Sequence, residues 1–200
     1  FSVLLQKPNE IDHRSSENIQ IGHTPFIMAV NNGSERVDDN DLHYRVLVLG
    51  ETGVGKSSLI SMLSTNHGIE AGEEVEDFHK AQICTTIVGK HTVSIQLWDG
   101  SEGVKEVQTK SRRFPKNTDA LLLVYAIDSE KSAAELDGFL TEGLKNSKGA
   151  GVLLVGNKLD LKKERQVTLK AAQQLAASMD APRAYELSAT NASTAAVFID

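Results

Sequence analysis

One stretch of the sequence has the residue types and spacing that hold a chain of phosphates, and it consists of Gly50, Glu51, Thr52, Gly53, Val54, Gly55, Lys56 and Ser57. Its glycines let successive backbone N–H groups turn inward around an anion. The Lys56 ammonium would place a positive charge against the β- and γ-phosphates of a nucleotide, and the Ser57 hydroxyl would ligate Mg²⁺. The pattern requires a strand before the loop and a helix after it. We predict such a helix from Lys56, with Ser58 in its first turn as a further nucleotide-binding residue.

A second group of polar residues, Asn157, Lys158 and Asp160, follows an apolar run at 151–155. Open α/β sheets bind ligands at the carboxyl ends of such central strands. There the Asp160 carboxylate can accept two hydrogen bonds from guanine, one from its ring N–H and one from its amine, and adenine offers no such pair. Asn157 can join the loops of the pocket, and the Lys158 stem can lie along the base and ribose.

A third group, Ser188, Ala189 and Thr190, follows the last predicted strand and completes the expected base pocket. We expect the Ala189 N–H to reach the carbonyl oxygen of guanine. Neither this triplet nor the Asn-Lys-x-Asp segment is specific alone, but their order behind the phosphate loop makes the set specific. Together they predict a site for GDP or GTP with Mg²⁺ as cofactor, and the sequence identifies no catalytic side chain.

The composition excludes several classes of protein. The chain has 200 residues and a formal net charge of −6, which suits one compact domain or two small ones. A pI near 5.5 argues against nucleic-acid binding. One cysteine, Cys84, excludes an internal disulfide framework and fits a reducing compartment. The six histidines show no ligand spacing, so no zinc site is predicted, and no apolar run has the length of a membrane-spanning helix.

Two regions of the chain differ in character. Residues 1–43 are polar and are expected to form a mostly disordered arm, whereas residues 44–200 are expected to form the domain. Apolar runs and alternation predict strands at 44–49, 82–88, 92–98, 120–126, 151–155 and 183–187. Helices are predicted at 56–63, 132–146 and 168–179, the last with Thr168 as its N-cap. This alternation predicts an α/β fold with an open, mostly parallel sheet and helices on both faces.

The motifs GETGVGKS, LWD, GNKLD and ELSAT, taken together, resemble those of the Ras superfamily of small GTPases from Tyr44 to the C-terminus. The resemblance implies a small G domain of the P-loop NTPase type, whose last helix is expected to be cut short. It implies that Asp99, which ends the run SIQLWD, holds Mg²⁺ through water. It also implies a switch in which loops held by the γ-phosphate and Mg²⁺ engage protein effectors and relax after hydrolysis.

Two segments depart from the family pattern. Family members continue from the Mg²⁺ aspartate as D-x-x-G-Q, whereas here the run is Asp99-Gly100-Ser101-Glu102-Gly103-Val104. The position that orients the attacking water is then Gly103 or Val104, and because neither side chain can polarise water, weak GTP hydrolysis is expected. The first switch loop, at about 66–79, contains five carboxylates and no hydroxyl side chain. Thr85 and Thr86 are expected to lie in the hairpin strand instead.

These departures favour the Rad/Gem/Kir (RGK) branch, which the resemblance links to atypical switches and to inhibition of voltage-gated calcium channels through the channel β subunit. The phrase GKHTVSIQLWD is similar to Rab proteins, so the alternative is a conventional Rab-like or Ras-like switch in trafficking or signalling. A nucleotide-independent interaction scaffold is the third hypothesis. We expect a cytoplasmic location, with the cytoplasmic face of the plasma membrane as an option. Membrane attachment is left open, since the chain ends without a C-terminal lipidation motif and we expect the natural protein to be longer.

Overall fold

The computed structural model describes residues 41–65, 81–88, 91–100, 115, 117–147 and 149–191, and the structural findings concern these residues. The expected arm at 1–43 falls almost wholly outside them, as do the first expected switch loop, the second switch segment beyond Gly100 and the residues after Asn191. What the sequence predicts for those segments therefore stays a prediction.

Strands and helices alternate along the described residues. The strands are β1 (Asp41–Leu49), β2 (Gln82–Val88), β3 (His91–Asp99), β4 (Ala120–Ala126), β5 (Gly151–Asn157) and β6 (Ala184–Glu186). The helices are α1 (Lys56–Thr65), α2 (Glu130–Ala134), α3 (Leu136–Asn146) and α4 (Leu169–Ser178). Every predicted strand is present, and each strand end lies within three residues of its predicted position. None of the helices in the described ranges is long and apolar enough to cross a membrane.

The strands form one sheet in the order β2-β3-β1-β4-β5-β6. Strand β1 pairs in parallel with β3 and β4, and β5 pairs in parallel with β4 and β6. Strand β2 runs antiparallel to β3, as expected for the two arms of a hairpin. The prediction of a mostly parallel α/β sheet is confirmed. Because the strand order reverses at β1, the crevice beyond its carboxyl end is where such a sheet binds its ligand.

Two apolar clusters cover the two faces of the sheet. Val46 and Val48 of β1 pack in one cluster with α1, and Leu47 and Leu49 pack in the other with residues of α3 and α4. Strand β4 is buried at every position, which suits a central strand covered on both faces. Each fully buried Val or Leu side chain is worth about 1.5–3 kcal/mol, so the side chains on both faces of β1 stabilise the sheet.

The helical region after β4 differs from the prediction. The sequence predicts one helix at 132–146, whereas the structure has α2 and α3 with Glu135 between them. Helix α2 begins earlier because Ser129 is its N-cap, and its Oγ accepts a hydrogen bond from the Ser132 N–H at 3.2 Å. At Glu135 the backbone angle ψ is −8°, well away from the helical value near −42°, and this interrupts the regular helix.

Helix α4 begins where the sequence predicts. The backbone of Thr168 is extended, with ψ of 151°, and its Oγ1 accepts a hydrogen bond from the Ala171 N–H at 3.2 Å. This satisfies one of the N–H groups that lack a partner in the first turn of a helix. The predicted N-cap is therefore confirmed.

Strand β2 contains the two threonines that the sequence assigns to the hairpin. Thr85 pairs with Ser94, and Thr86 pairs with Val93. Cys84, on the same strand, is fully buried, and burial raises the pKa of its thiol to about 11. Cys84 is thus a core residue rather than a nucleophile, as predicted.

Candidate nucleotide-binding site

The loop between β1 and α1 requires glycine at both of its ends. Gly50 has a φ angle of +150°, and a Cβ atom there would lie 2.1 Å from the carbonyl oxygen of Val124. Gly55 has a φ angle of +94°, and a Cβ atom there would lie 2.3 Å from Nδ2 of Asn157. Side-chain carbons do not approach other atoms so closely. These two glycines therefore allow the loop to lie directly against β4 and β5.

Lys56, the first residue of α1, is buried with its ammonium held by the same loop. The residue is 3% exposed, and its Nζ donates to the carbonyl oxygens of Gly50 at 2.8 Å and Glu51 at 2.7 Å. Burial lowers the pKa of this ammonium below its usual value, while the negative charges of Asp99 and Glu51 partly offset that effect. An ammonium has three donors, so a third N–H can turn toward an anion.

The other predicted phosphate-loop residues lie around the start of α1. Thr52 and Gly53 are exposed at the loop, Val54 is buried, and Ser57 and Ser58 are exposed in the first helical turn. The first N–H groups of a helix have no partner within it, and its dipole places partial positive charge at the same end. Lys56 therefore adds a full positive charge to a backbone environment that already favours an anion.

Ser57 and Asp99 come together as the sequence predicts for a Mg²⁺ site. Asp99 is the last residue of β3 and pairs in register with Val48, next to the end of β1. The Ser57 hydroxyl donates a hydrogen bond to Oδ2 of Asp99 at 2.6 Å. Mg²⁺ is a hard cation that takes hydroxyl and carboxylate oxygens, often with several waters, so these two oxygens fit the ion. Bound there, Mg²⁺ would neutralise phosphate charge.

Asn157 joins the phosphate loop to the segment after β6. It is 2% exposed, and its Nδ2 donates to the carbonyl oxygen of Val54 at 2.8 Å. Its Oδ1 accepts a hydrogen bond from the Ala189 N–H at 2.9 Å. The predicted role of Asn157 in joining the pocket loops agrees with this geometry. The Ala189 N–H, which the sequence assigns to the guanine carbonyl, donates to Asn157 in this structure.

The base side of the site is organised by Ser188. Its Oγ donates to Oδ1 of Asp160 and lies 2.8 Å from Oγ1 of Thr190. Asp160 itself is exposed, so its carboxylate can still reach a ligand. A cleft of about 200 Å³ opens here, and its walls are formed by Leu159, Asp160, Lys162, Ser188 and Asn191.

Two charged residues beside the site were not identified from the sequence as part of it. Asp128 lies 3.4 Å from Nζ of Lys158 through its Oδ2, and Lys158 has a left-handed backbone with φ of +65°. Lys131 of α2 forms an ion pair with Glu51 of the phosphate loop. The sequence feature that could have identified them is their position directly after β4, because the carboxyl end of that strand lies next to the end of β1.

These contacts bring three sequence segments to one crevice: the phosphate loop, the Asn157–Asp160 segment and the Ser188–Thr190 segment. A family model described as "Ras family" matches residues 45–199, which is more than half of the chain. The chain belongs to the Ras family. In the described residues of this Ras-family chain, the mostly parallel six-stranded sheet with helices is consistent with a small G domain.

Individual relatives of the Ras-family chain are Rab proteins. "Ras-related protein Rab-44" from Homo sapiens is 35% identical over 141 residues, an alignment covering 68% of this chain and 13% of that protein. "Ras-related protein Rab-15" from Rattus norvegicus and from Homo sapiens is 31% identical over 152 residues, covering 68% of this chain and 64% of each relative. The chain therefore spans less than two thirds of the length of these relatives.

The preference for the RGK branch is not supported by these comparisons. The relatives named above are Rab proteins, which agrees with the Rab-like phrase GKHTVSIQLWD and with the alternative drawn from it. The RGK preference, with its calcium-channel β subunit, rested on the two switch segments, of which only Asp99 and Gly100 lie among the described residues. Departures in two short segments weigh less than identity spread over most of the domain.

Proposed function

We propose that this chain binds GDP and GTP and acts as a Rab-like small GTPase switch, with Mg²⁺ held by Ser57 and Asp99. The observation that carries the proposal is the position of Asn157. Its amide contacts both Val54 in the phosphate loop and Ala189 in the segment after β6. Asn157 thus links the phosphate side and the base side, and this supports their belonging to one site.

Different residues of the site are proposed to bind the phosphates and the base. Lys56 and the N-terminus of α1 hold the phosphates, and Mg²⁺ supplies further positive charge when bound. The Asp160 carboxylate accepts the paired hydrogen bonds of guanine, and Ser188 holds one of its oxygens in place. A base that cannot provide the pair leaves this carboxylate unsatisfied and is rejected by a large factor.

The switch is proposed to hydrolyse GTP slowly without help. After Asp99 the chain continues Gly100-Ser101-Glu102-Gly103-Val104, and none of the candidate positions carries a side chain that orients water as glutamine does. Single-turnover cleavage of GTP measures this directly. A rate at the level of ordinary small GTPases would contradict slow hydrolysis while leaving nucleotide binding intact.

The proposed contact between Asp160 and guanine is tested by replacing one carboxylate oxygen with an amide nitrogen. Asp160→Asn should shift the preference from GDP toward xanthosine diphosphate, because an amide N–H can donate to the extra carbonyl of xanthine while the guanine N–H loses its acceptor. We expect GDP affinity to fall by more than about tenfold, since hydrogen bonds to a charged group are worth about 1.5–3 kcal/mol and the substitution removes that charge. Competition among GDP, ADP and xanthosine diphosphate on both proteins is the measurement. Competition by ADP equal to that by GDP on the unmodified protein would refute the proposal.

A further inference from the structure

A charged side chain reaches the phosphate loop from the segment that follows β4. Lys131 of α2 forms an ion pair with Glu51, the second residue of the loop, across 80 positions of sequence. The Glu51 side chain is only 15% exposed, whereas Lys131 is 67% exposed. We propose that Lys131 neutralises the Glu51 carboxylate and thereby tunes the affinity of the loop for nucleotide phosphates. This inference rests on the proposed nucleotide binding and deepens it.

The charge of Glu51 acts on the centre that would hold the phosphates. The backbone carbonyl of Glu51 accepts a hydrogen bond from Nζ of Lys56 at 2.7 Å. The carboxylate of the same residue raises the pKa of Lys56 through its field, so its negative charge is felt at the phosphate-binding lysine. Because the Glu51 carboxylate acts on this lysine, it would also repel a phosphate chain bound there unless a nearby cation offset its negative charge.

The backbone that presents Lys131 is held firmly. Ser132 is fully buried, and its Oγ accepts from the Ala126 N–H at 3.0 Å and donates to the Ser129 carbonyl at 2.7 Å. The Glu130 N–H donates to Oε1 of Gln166 at 3.1 Å. These bonds fix the turn on both sides of Lys131, so the lysine starts from a defined position over the loop.

Lys131 has a second acidic neighbour. Its Nζ lies 3.4 Å from Oε1 of Glu135, one helical turn further along the chain. One ammonium thus compensates two carboxylates. Loss of Lys131 would remove the cation that pairs with both carboxylates, and the positive potential at Glu51 in the phosphate loop would fall.

The test measures GDP and GTP affinity for Lys131→Ala at low ionic strength. We expect affinity about two- to fivefold weaker than that of the unmodified protein, the scale of an exposed charge pair, with the larger loss for GTP because it carries more charge. The added change Glu51→Gln should restore the affinity, and Lys131→Arg should retain it. The loss should shrink at high salt, since exposed charges are screened. A change in fold alone would not show this pattern of rescue and salt dependence.

A matched control comes from another exposed lysine pair. Lys145 lies 2.5 Å from Glu142 on α3, and Lys145 is 61% exposed. Lys145→Ala removes the same charge away from the phosphate loop and should leave both affinities unchanged. If the unmodified protein binds neither nucleotide, the proposed function fails. If the unmodified protein binds both nucleotides and Lys131→Ala binds them with the same affinity, the role of Lys131 is refuted. The role is also refuted if adding Glu51→Gln does not restore the affinity lost in Lys131→Ala.

Discussion

Lys56 is a buried cation whose ammonium donates hydrogen bonds to two neutral carbonyl oxygens. Its Nζ is held by the carbonyls of Gly50 and Glu51, and its pKa is lowered because burial disfavours the charged form. A buried charge without a full counter-charge is costly to the folded state. A phosphate group provides that counter-charge. A phosphate bound at the loop would therefore be attracted by this ammonium and would lower the cost of burying it.

The substitution Lys56→Met separates binding from stability. The side chain keeps its length and loses its charge, so GDP affinity should fall by more than about 30-fold, because removing one partner of a buried charge pair costs 2–5 kcal/mol. The melting temperature of the protein without nucleotide should change little, because relief from burying the charge offsets the loss of the two hydrogen bonds to the Gly50 and Glu51 carbonyls. Titration with fluorescent GDP and thermal denaturation measure the two effects. A folded variant that binds GDP normally would contradict the assignment of Lys56.

The phosphate loop depends, at the scale of elements, on how closely it lies against the strands behind it. A Cβ atom at Gly50 would collide with the backbone of β4, and one at Gly55 would collide with the Asn157 side chain at the end of β5. Asn157 in turn holds the Val54 carbonyl and the Ala189 N–H. The shape of the loop is therefore determined by residues far away in sequence as well as by its own glycines.

Two glycines of this loop allow a matched comparison. Gly53 and Gly55 have similar positive φ angles, of +87° and +94°, so alanine at either position costs about 1–2 kcal/mol of backbone strain. A Cβ atom at Gly53 meets no protein atom within 4 Å, whereas one at Gly55 would lie 2.3 Å from Nδ2 of Asn157. Gly55→Ala should therefore lose at least about tenfold more GDP affinity than Gly53→Ala in a calorimetric titration. Equal losses would show that the contact with Asn157 does not shape the site.

Much of this arrangement can be predicted from local sequence patterns. The strand and helix bounds follow from apolar runs and from the N-cap at Thr168, and the motif residues follow from chemistry that permits few side chains. The pairing of Asp128 with Lys158 and of Lys131 with Glu51 could not be predicted, because each joins segments that only the strand order brings together. The break at Glu135 was missed because helical periodicity continues across it.

At the scale of the whole molecule, the packing of the sheet leaves the single cysteine inaccessible. Cys84 is fully buried in the cluster that α1 covers, and its register partner is Ile95 on β3. Burial raises the pKa of the thiol to about 11, so near neutral pH it is both covered and protonated. Thiolate is the reactive form of cysteine. Reaction of Cys84 therefore requires opening of the sheet at β2.

Thiol labelling of Cys84 consequently reports on unfolding. At pH 8 the native protein should react with a thiol reagent far more slowly than the protein in denaturant, where the thiol has its ordinary pKa and is exposed. Addition of GDP and Mg²⁺ should slow labelling further if opening passes through global unfolding, because ligand binding stabilises the folded state. The rate of labelling against denaturant concentration is the measurement. Equal rates in native and denatured protein would show that Cys84 is not buried in solution.

The position of β1 at the centre of the sheet has a consequence for biosynthesis. Tyr44 pairs with Ile95 and Val46 pairs with Ala120, so both neighbours of the strand are translated after it. Pairings between residues so distant in the chain form slowly, and the apolar strand stays exposed until they do. When synthesis has not yet reached Gly151, the phosphate loop is complete but Asn157 has not been translated. The hydrogen bond from the Asn157 amide to the Val54 carbonyl therefore cannot yet form. Assembly of the proposed nucleotide pocket is therefore expected late in the synthesis of this protein.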